Sequence, residues 1–442
     1  MTASPDDTCH PDARSWVPEA NAPTTDFPLQ NLPLAILRPR GTGEPWRIGV
    51  AIGEATLDVG GCVEDGLADA LPAALATALR APTLNPLMAL GRESAARVRQ
   101  LLHQWLRDDA PAARQTQLRK RIRPQDAVEY ALPAAVGGFT DFFASRHHAS
   151  TVARLRKADA PLPTAYPYCP LAYHGRASSL RISEREIVRP WGPQKSITGP
   201  RYAPTTRLDY EAELGFFIGR ASAADVPVPV TEGREHLFGA CLLNDWSARD
   251  VQAFEAQPLG PFLSKNFATT LAPWVVTAEA LEPFRVPAAP HEDAPPLPYL
   301  LDPDDQARGA WSIVVSVELS SRAMREMDLA SMTLSTANLA SLFWTPAQLI
   351  AHHTATGCPL EAGDLLASGT VSGPGGKSQA GCLLEITRGG REPLTLPTGE
   401  SRQFLEDGDE VTITARASAP GRVSIGFGTC RARISAARPS TP

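Results

Sequence analysis

The chain has 442 residues, a formal net charge of -6 and a pI near 5.9. Hydrophobic residues make up 43% and charged residues 20%, the balance of an ordinary globular chain long enough for a large core. The acidic total gives no support to a nucleic-acid partner, and no run of about 18 apolar residues marks a membrane span.

The first segment, "MTASPDDTCHPDARSWVPEA", lacks the apolar core of a signal peptide. Seven cysteines, at 9, 62, 169, 241, 358, 382 and 430, are odd in number and show no CxxC spacing. They argue against a disulfide framework or a structural zinc site, and for reduced thiols in the cytoplasm. Residues 1–28 are polar and proline-bearing, and read as a terminal tail. "RIGVAIGEATLDV" (47–59) reads as two short strands around Gly53-Glu54. Residues 67–80 are Ala/Leu-rich, and "RESAARVRQLLHQWLR" (92–107) is amphipathic. Val98, Leu101, Leu102, Trp105 and Leu106 fall on one helical face there. The basic run "RQTQLRKRIRP" (114–124) reads as a solvated helix end and linker rather than a phosphate site. A domain boundary placed there gives units of 29–124 and 125–442.

Beyond residue 125, Gly, Pro and short apolar runs dominate. "WSIVVSVELSS" (311–321), "EVTITARA" (410–417) and "RVSIGFGTCRARI" (422–434) read as half-buried strands. "TPAQLIAHHTATG" (345–357) is a helix pattern with Pro346 in its first turn and Gly357 as its stop. Segment 282–308, rich in Pro and acids, reads as a long surface loop. The larger unit is therefore mostly β with a few helices, and no internal repeat is visible.

"LDYEAELGFFIG" (208–219) reads as one strand bounded by Gly219. Glu211 and Glu213 are two apart in it, so they share a face. Like charges on one face repel unless something positive lies between them. Asp141, in "GGFTDFFASRHHAS" (137–150), and Asp245, in "CLLNDWSARDVQAFE" (241–255), stand beside aromatics. Such an aspartate is costly to bury unless paired or bound to a metal. Four converging carboxylates would suit a hard cation, Ca²⁺ or Mg²⁺. Taken singly, each reads as an ordinary exposed or salt-bridged acid.

A helix starting near Ser247 puts Arg249 and Gln252 on one face. They read either as donors for an oxyanion or carboxylate, or as plain surface side chains. Lys265 and Thr269 follow in "GPFLSKNFATT" (260–270). His148, seven residues after Asp141, fits a general base, with His147 and His174 as competitors. His352 and His353 point about 100° apart on their helix and read as structural, not chelating.

Five motifs in order carry a resemblance: "YHGRASS" (173–179), "LDYEAEL" (208–214), "NDWSARDVQ" (244–252), "PLGPFLSKNF" (258–267) and "GDLLASGTVSGP" (363–374). With the stretch from 26 to 430 around them, the chain resembles the fumarylacetoacetase family. The resemblance implies a mainly β (α+β) fold, with a small N-terminal SH3-like β-barrel and a larger C-terminal β-roll catalytic domain. It implies a homodimer. It implies a divalent cation, Ca²⁺ or Mg²⁺, on Asp141, Glu211, Glu213 and Asp245, and a second cation site at Asp245, Lys265 and Thr269. The implied reaction hydrolyses the carbon–carbon bond of a β-diketone, fumarylacetoacetate, to fumarate and acetoacetate, the end of tyrosine and phenylalanine breakdown. His148, oriented by Glu385 in "CLLEI", would take a proton from water. Arg249, Gln252 and Lys265 would stabilise the oxyanion, and Tyr173, Gln252 and Thr370 would contact substrate.

Two substrate-contacting positions depart from the family's tyrosines: Phe143 lacks the hydroxyl and Ala256 the whole ring. A third contact, an arginine in the family, falls among Arg154, Arg156 and Lys157. Each lost hydrogen bond to a charged ligand group costs about 1.5–3 kcal/mol. The alternatives are therefore a hydrolase of a related acylpyruvate-type diketo acid, another enzyme of the wider fold family such as a decarboxylase or isomerase, and a catalytically silent metal-dependent binding protein.

Overall fold

The hairpin expected at 47–59 forms. In the computed structural model, which describes residues 7–156, 162–291 and 294–439, Arg47–Ile52 and Ala55–Asp58 pair antiparallel with Ile52 opposite Ala55. Gly53 closes the turn at φ +58, and a Cβ there would meet Ala20 N at 2.6 Å, so only glycine fits. With β1 (Leu34–Pro39), β2 (Arg47–Ile52), β3 (Ala55–Asp58), β4 (Ile122–Pro124) and β5 (Val128–Ala131), the N-terminal sheet has the order β4-β3-β2-β1-β5. All its pairings are antiparallel. Two readings of 114–124 change here. Ile122–Pro124 is an edge strand rather than linker, and β5 carries the sheet past residue 124. A three-residue strand ending in proline at an edge leaves no alternation to read. The amphipathic segment is a helix, Gly91–Leu106, with Val98, Leu102, Trp105 and Leu106 buried and Leu101 half-buried.

The larger part is built on two sheets, so the molecule is mainly β with α+β organisation. One sheet of eight strands runs, in spatial order, Ala172–His174, Phe139–Phe142, Leu365–Ala367, Ala212–Ile218, Leu237–Asp245, Thr269–Leu271 and Leu180–Ile182, with Val276–Thr277 beside Leu237–Asp245. The other has five: Met332–Asn338, Ile313–Ser320, Glu410–Ala417, Ile425–Ser435 and Ile187–Val188. In its central strands the alternation read from sequence appears directly. Ile313, Val315, Val317 and Leu319 point inward, as do Val411, Ile413, Ala415 and Ala417. They join Phe216, Trp246, Trp344 and Phe427 in one core. The central strands of the eight-stranded sheet, Ala212–Ile218 and Leu237–Asp245, are buried along their whole length, on both faces.

Two further expectations are corrected. "LDYEAELGFFIG" is not one strand: Leu208–Asp209 pairs with Ser247–Ala248, and a new strand starts at Ala212. Segment 282–308 is not a plain loop. It holds the short strand Arg285–Val286 and the helix Pro303–Arg308. Asp302 caps that helix, and buried Asp305 accepts from Thr345 at 2.5 Å. The helix Pro346–Thr354 forms as expected, with a full capping box from Thr345 and Gln348 and Gly357 at φ +86 after it. Among the described residues no helix is long and apolar enough to cross a membrane.

Candidate active site

Sheet order brings the acids together. Asp141 lies in Phe139–Phe142, Glu213 in Ala212–Ile218, Asp245 at the end of Leu237–Asp245, and Glu211 just before Ala212. All four are buried, with one carboxylate oxygen each within 4.8 Å of the others. Across the sheet, Tyr173 stands opposite Asp141, and its hydroxyl lies 3.0 Å from Asp141 and 2.7 Å from Asp245. Thr269 stands opposite Asp245 and donates to it at 2.9 Å. Lys265 Nζ bridges Glu211 and Asp245, the latter at 2.5 Å. The positive group between the acids is therefore, in part, an ammonium. Lys265 and Thr269, expected at a second cation site, here act as donors to Asp245.

The site still lacks positive charge. Arg249 reaches Glu211 at 2.7 Å but is shared with Asp209 at 2.9 Å. Glu213 is 0% exposed, and neither of its oxygens has a hydrogen-bond partner among the described residues; nor has Asp141 Oδ1. Burial pushes the Asp141 and Glu213 carboxyls well above the usual range, and the neighbouring acids push the same way. Burial also raises Glu211, but Lys265 and Arg249 outweigh it and hold that carboxyl low. Lone buried carboxylates on an all-oxygen donor set fit a hard divalent cation.

Beside the acids, Ser145 caps the helix Arg146–Leu155 by accepting from His148 N at 3.2 Å. His148 Nδ1 lies 2.7 Å from Glu385 Oε2, and both residues are buried. The same oxygen accepts from Ser372 at 2.8 Å. Burial would raise the Glu385 carboxyl, yet His148 and these donors hold it below its ordinary value. A cleft of about 320 Å³ opens onto His148 and the acids and is lined by Phe143, Arg156, Gln252, Ala256 and Thr370. Arg249 Nη1 donates to Gln252 at 3.3 Å, which confirms their common face.

The remaining candidates separate. Arg156 lines this cleft, whereas His147 and Arg154 line another, and Lys157 lies outside the described residues. His353 and His174 lie 2.9 and 3.5 Å from the Thr140 hydroxyl, and His352 bonds Tyr299 at 2.6 Å, so the helix pair does not chelate. Sequence reasoning missed Asp209, Ser372 and Cys382. Only Asp209 carried a signal, an acid between Leu208 and Tyr210 in an apolar stretch.

The family model for the fumarylacetoacetate (FAA) hydrolase C-terminal region matches residues 138–435, and that for the fumarylacetoacetase N-terminal region matches 30–133. The chain is 41% identical over 414 residues to fumarylacetoacetase of Arabidopsis thaliana, covering 92% of this chain and 95% of that one. It is 39% identical over 425 residues to fumarylacetoacetase of Homo sapiens, covering 95% and 98%. A solved fumarylacetoacetate hydrolase from Exiguobacterium antarcticum superposes with TM-score 0.51 at 18% identity, covering 92% of this chain and 100% of that one, which bears on the fold alone. Fold and matches together define a hydrolase of the FAA hydrolase type. Within that class, the chain belongs to the fumarylacetoacetase family.

Proposed function

We propose that this enzyme hydrolyses fumarylacetoacetate to fumarate and acetoacetate, the end of tyrosine and phenylalanine breakdown. The observation that carries the reading is the His148–Glu385 pair, closed at 2.7 Å beside a cluster of four buried carboxylates. Asp141, Glu211, Glu213 and Asp245 would hold a divalent cation, Ca²⁺ or Mg²⁺. When bound, that ion would act as a Lewis acid toward the diketone oxygens.

The protein's own groups do the rest. Glu385 accepts a hydrogen bond from Nδ1–H and fixes the tautomer, so Nε2 of His148 is the free base. Nε2 takes a proton from water while the water oxygen attacks the fumaroyl carbonyl carbon. Lys265, Arg249 and Gln252 stabilise the oxygen that gains charge. The bond to the methylene carbon then breaks. Its electron pair leaves as the enolate of acetoacetate, and the His148 imidazolium returns a proton to that carbon. One water is consumed and two acids are formed.

Two of the substrate-contact positions that the resemblance implies carry no hydroxyl here. Phe143 packs edge-on against His148 with ring centroids 5.3 Å apart, and Ala256 lines the same cleft. Arg156 and Thr370 face the cleft and would take the substrate carboxylates, with Tyr173 holding the acids behind. The five-stranded N-terminal sheet, which β5 carries to Ala131, is read as an SH3-like barrel with a helical linker, and the remainder to 442 as a β-roll domain. The seven free thiols suit a cytoplasmic protein, and a homodimer is the expected assembly.

The test is an absorbance assay with Mg²⁺ or Ca²⁺, running fumarylacetoacetate beside simple acylpyruvates. Fast loss of fumarylacetoacetate is expected, and His148→Ala should lower kcat by about 10²–10⁴-fold with metal binding kept. Turnover surviving in His148→Ala removes it as the base. Faster acylpyruvate cleavage would move the substrate, not the mechanism.

A further inference from the structure

No step of that reaction uses Cys382. Its thiol is buried and lies 3.3 Å from Glu385 Oε2, the oxygen that also takes His148 Nδ1 at 2.7 Å. His148, Cys382 and Glu385 each bring one ligand atom within 4.8 Å of the others. Burial pushes the thiol well above its ordinary range, so it is no free nucleophile. Imidazole, thiolate and carboxylate are instead the donor set of a zinc ion with three protein ligands and one open position. The neighbouring cluster offers oxygen alone and suits hard cations. Ligand softness thus separates two adjacent sites.

We propose that His148, Cys382 and Glu385 form an inhibitory site for a thiophilic divalent cation of the Zn²⁺ or Cd²⁺ type. The inhibition rests on His148 being the base. Such an ion takes Nδ1, Sγ and a carboxylate oxygen. The thiol proton is released to solvent, and the Nδ1 proton passes to Nε2. Nε2 then carries a hydrogen and can no longer accept one from water. No electrons are transferred. Thiolate and carboxylate supply two negative charges against the ion's two positive ones, so the filled site is neutral. Tetrahedral coordination needs Nδ1 and Oε2 to open by about half an ångström, a side-chain adjustment. His148 lines the active cleft and Glu385 a separate cleft of about 590 Å³, while the buried Cys382 lies between them in sequence and lines neither.

The experiment uses the full chain saturated with Mg²⁺ or Ca²⁺ in thiol-free buffer, as wild type, Cys382→Ser and Cys382→Ala. Zn²⁺ is titrated into turnover, each protein being scored against its own uninhibited rate. Cd²⁺ is titrated into the same proteins without substrate, reading the ultraviolet thiolate-to-cadmium band. The expected result is an inhibition constant for Zn²⁺ at least about tenfold higher in both variants, with one equivalent of the band lost. Equal Zn²⁺ sensitivity in the three proteins overturns the proposal and moves inhibition to the acidic cluster. An unchanged band overturns it too. A band that depends on Cys382, without any Zn²⁺ effect on wild-type turnover, overturns the inhibitory role. That last pattern faults His148 as the base, and so tells the failure of the reaction reading from the failure of the metal site.

Discussion

Asp209 is fully buried and accepts from Tyr210 N at 2.9 Å, Leu383 N at 2.8 Å, Leu384 N at 3.0 Å and Arg249 Nε at 2.9 Å. One carboxylate thus holds Arg249 on one side and the helix Leu383–Ile386, which carries Glu385, on the other. Asp209→Asn keeps the shape but loses the charge, and its amide cannot accept at both ends. Removing one partner of a buried pair costs about 3–5 kcal/mol. Glu211 still contacts Arg249, so the expected loss is near 3 kcal/mol, seen as a lower urea midpoint, with kcat falling and KM moving less. An unchanged midpoint would show that Asp209 anchors nothing. At this scale the sequence was readable where chemistry clashes with surroundings. Asp141 and Asp245 stood out because they sit beside aromatics, and Glu211 and Glu213 because two acids two apart would share a strand face. Cys382 did not, because a small side chain at the head of an apolar run reads as packing, and Ser372 did not, because a serine in the Gly-rich "SGTVSGPGG" reads as loop.

Elements were legible where period and caps agree. The strand Glu410–Ala417 alternates strictly and Ile313–Ser320 does so up to Leu319, and Thr345, Pro346 and Gly357 bound their helix as written. The chain was illegible where an element is too short to show a period, as in Ile122–Pro124, or where tertiary pairing splits a run, as at Tyr210-Glu211. Glu400 shows how such short pieces are fastened. It accepts from Ser321 at 2.5 Å, Thr398 at 2.6 Å and Arg402 at 2.8 Å, and Arg402 grips buried Asp409 at 3.0 Å. The hydroxyls of Ser321 and Thr398, then Arg402, hold the Glu400 carboxyl down to about 2. A depressed carboxyl stabilises the fold fully above its unfolded pKa of about 4.3 and loses that contribution as pH falls through the folded value. Glu400→Gln should therefore be less stable than wild type at neutral pH. The gap should narrow between pH about 4.3 and about 2, measured as urea midpoints across that range. A gap constant with pH would mean that the carboxylate charge contributes nothing.

For the whole molecule, the acidic cluster is where sequence-distant strands meet. Asp141, Glu213 and Asp245 come from three strands of the eight-stranded sheet, and only the sheet order makes them neighbours. Motif order hinted at that convergence, but no local spacing could supply it. A cation held there would bind the folded chain and not the unfolded one, and would stabilise it by about 2.7 kcal/mol at a hundredfold its Kd. Chelation should lower the thermal midpoint, and Ca²⁺ or Mg²⁺ should restore it. Glu213→Gln separates this from general salt effects. Among the described residues of the cluster, Glu213 is the acid with both oxygens unpartnered. Burial raises its carboxyl well above the ordinary range, so the metal-free fold carries a cost for a group that ionises freely when unfolded. A neutral amide removes that cost, and the metal-free variant should be at least as stable as metal-free wild type. The same change removes a ligand, so added cation should no longer raise its midpoint. If calorimetry shows wild type and Glu213→Gln gaining equally from Ca²⁺ and Mg²⁺, the ion lies elsewhere, and Lys265 and Arg249 would have to hold the acids together. If only wild type gains, the unpartnered carboxylate marks a position that costs stability in the empty protein and returns it on binding.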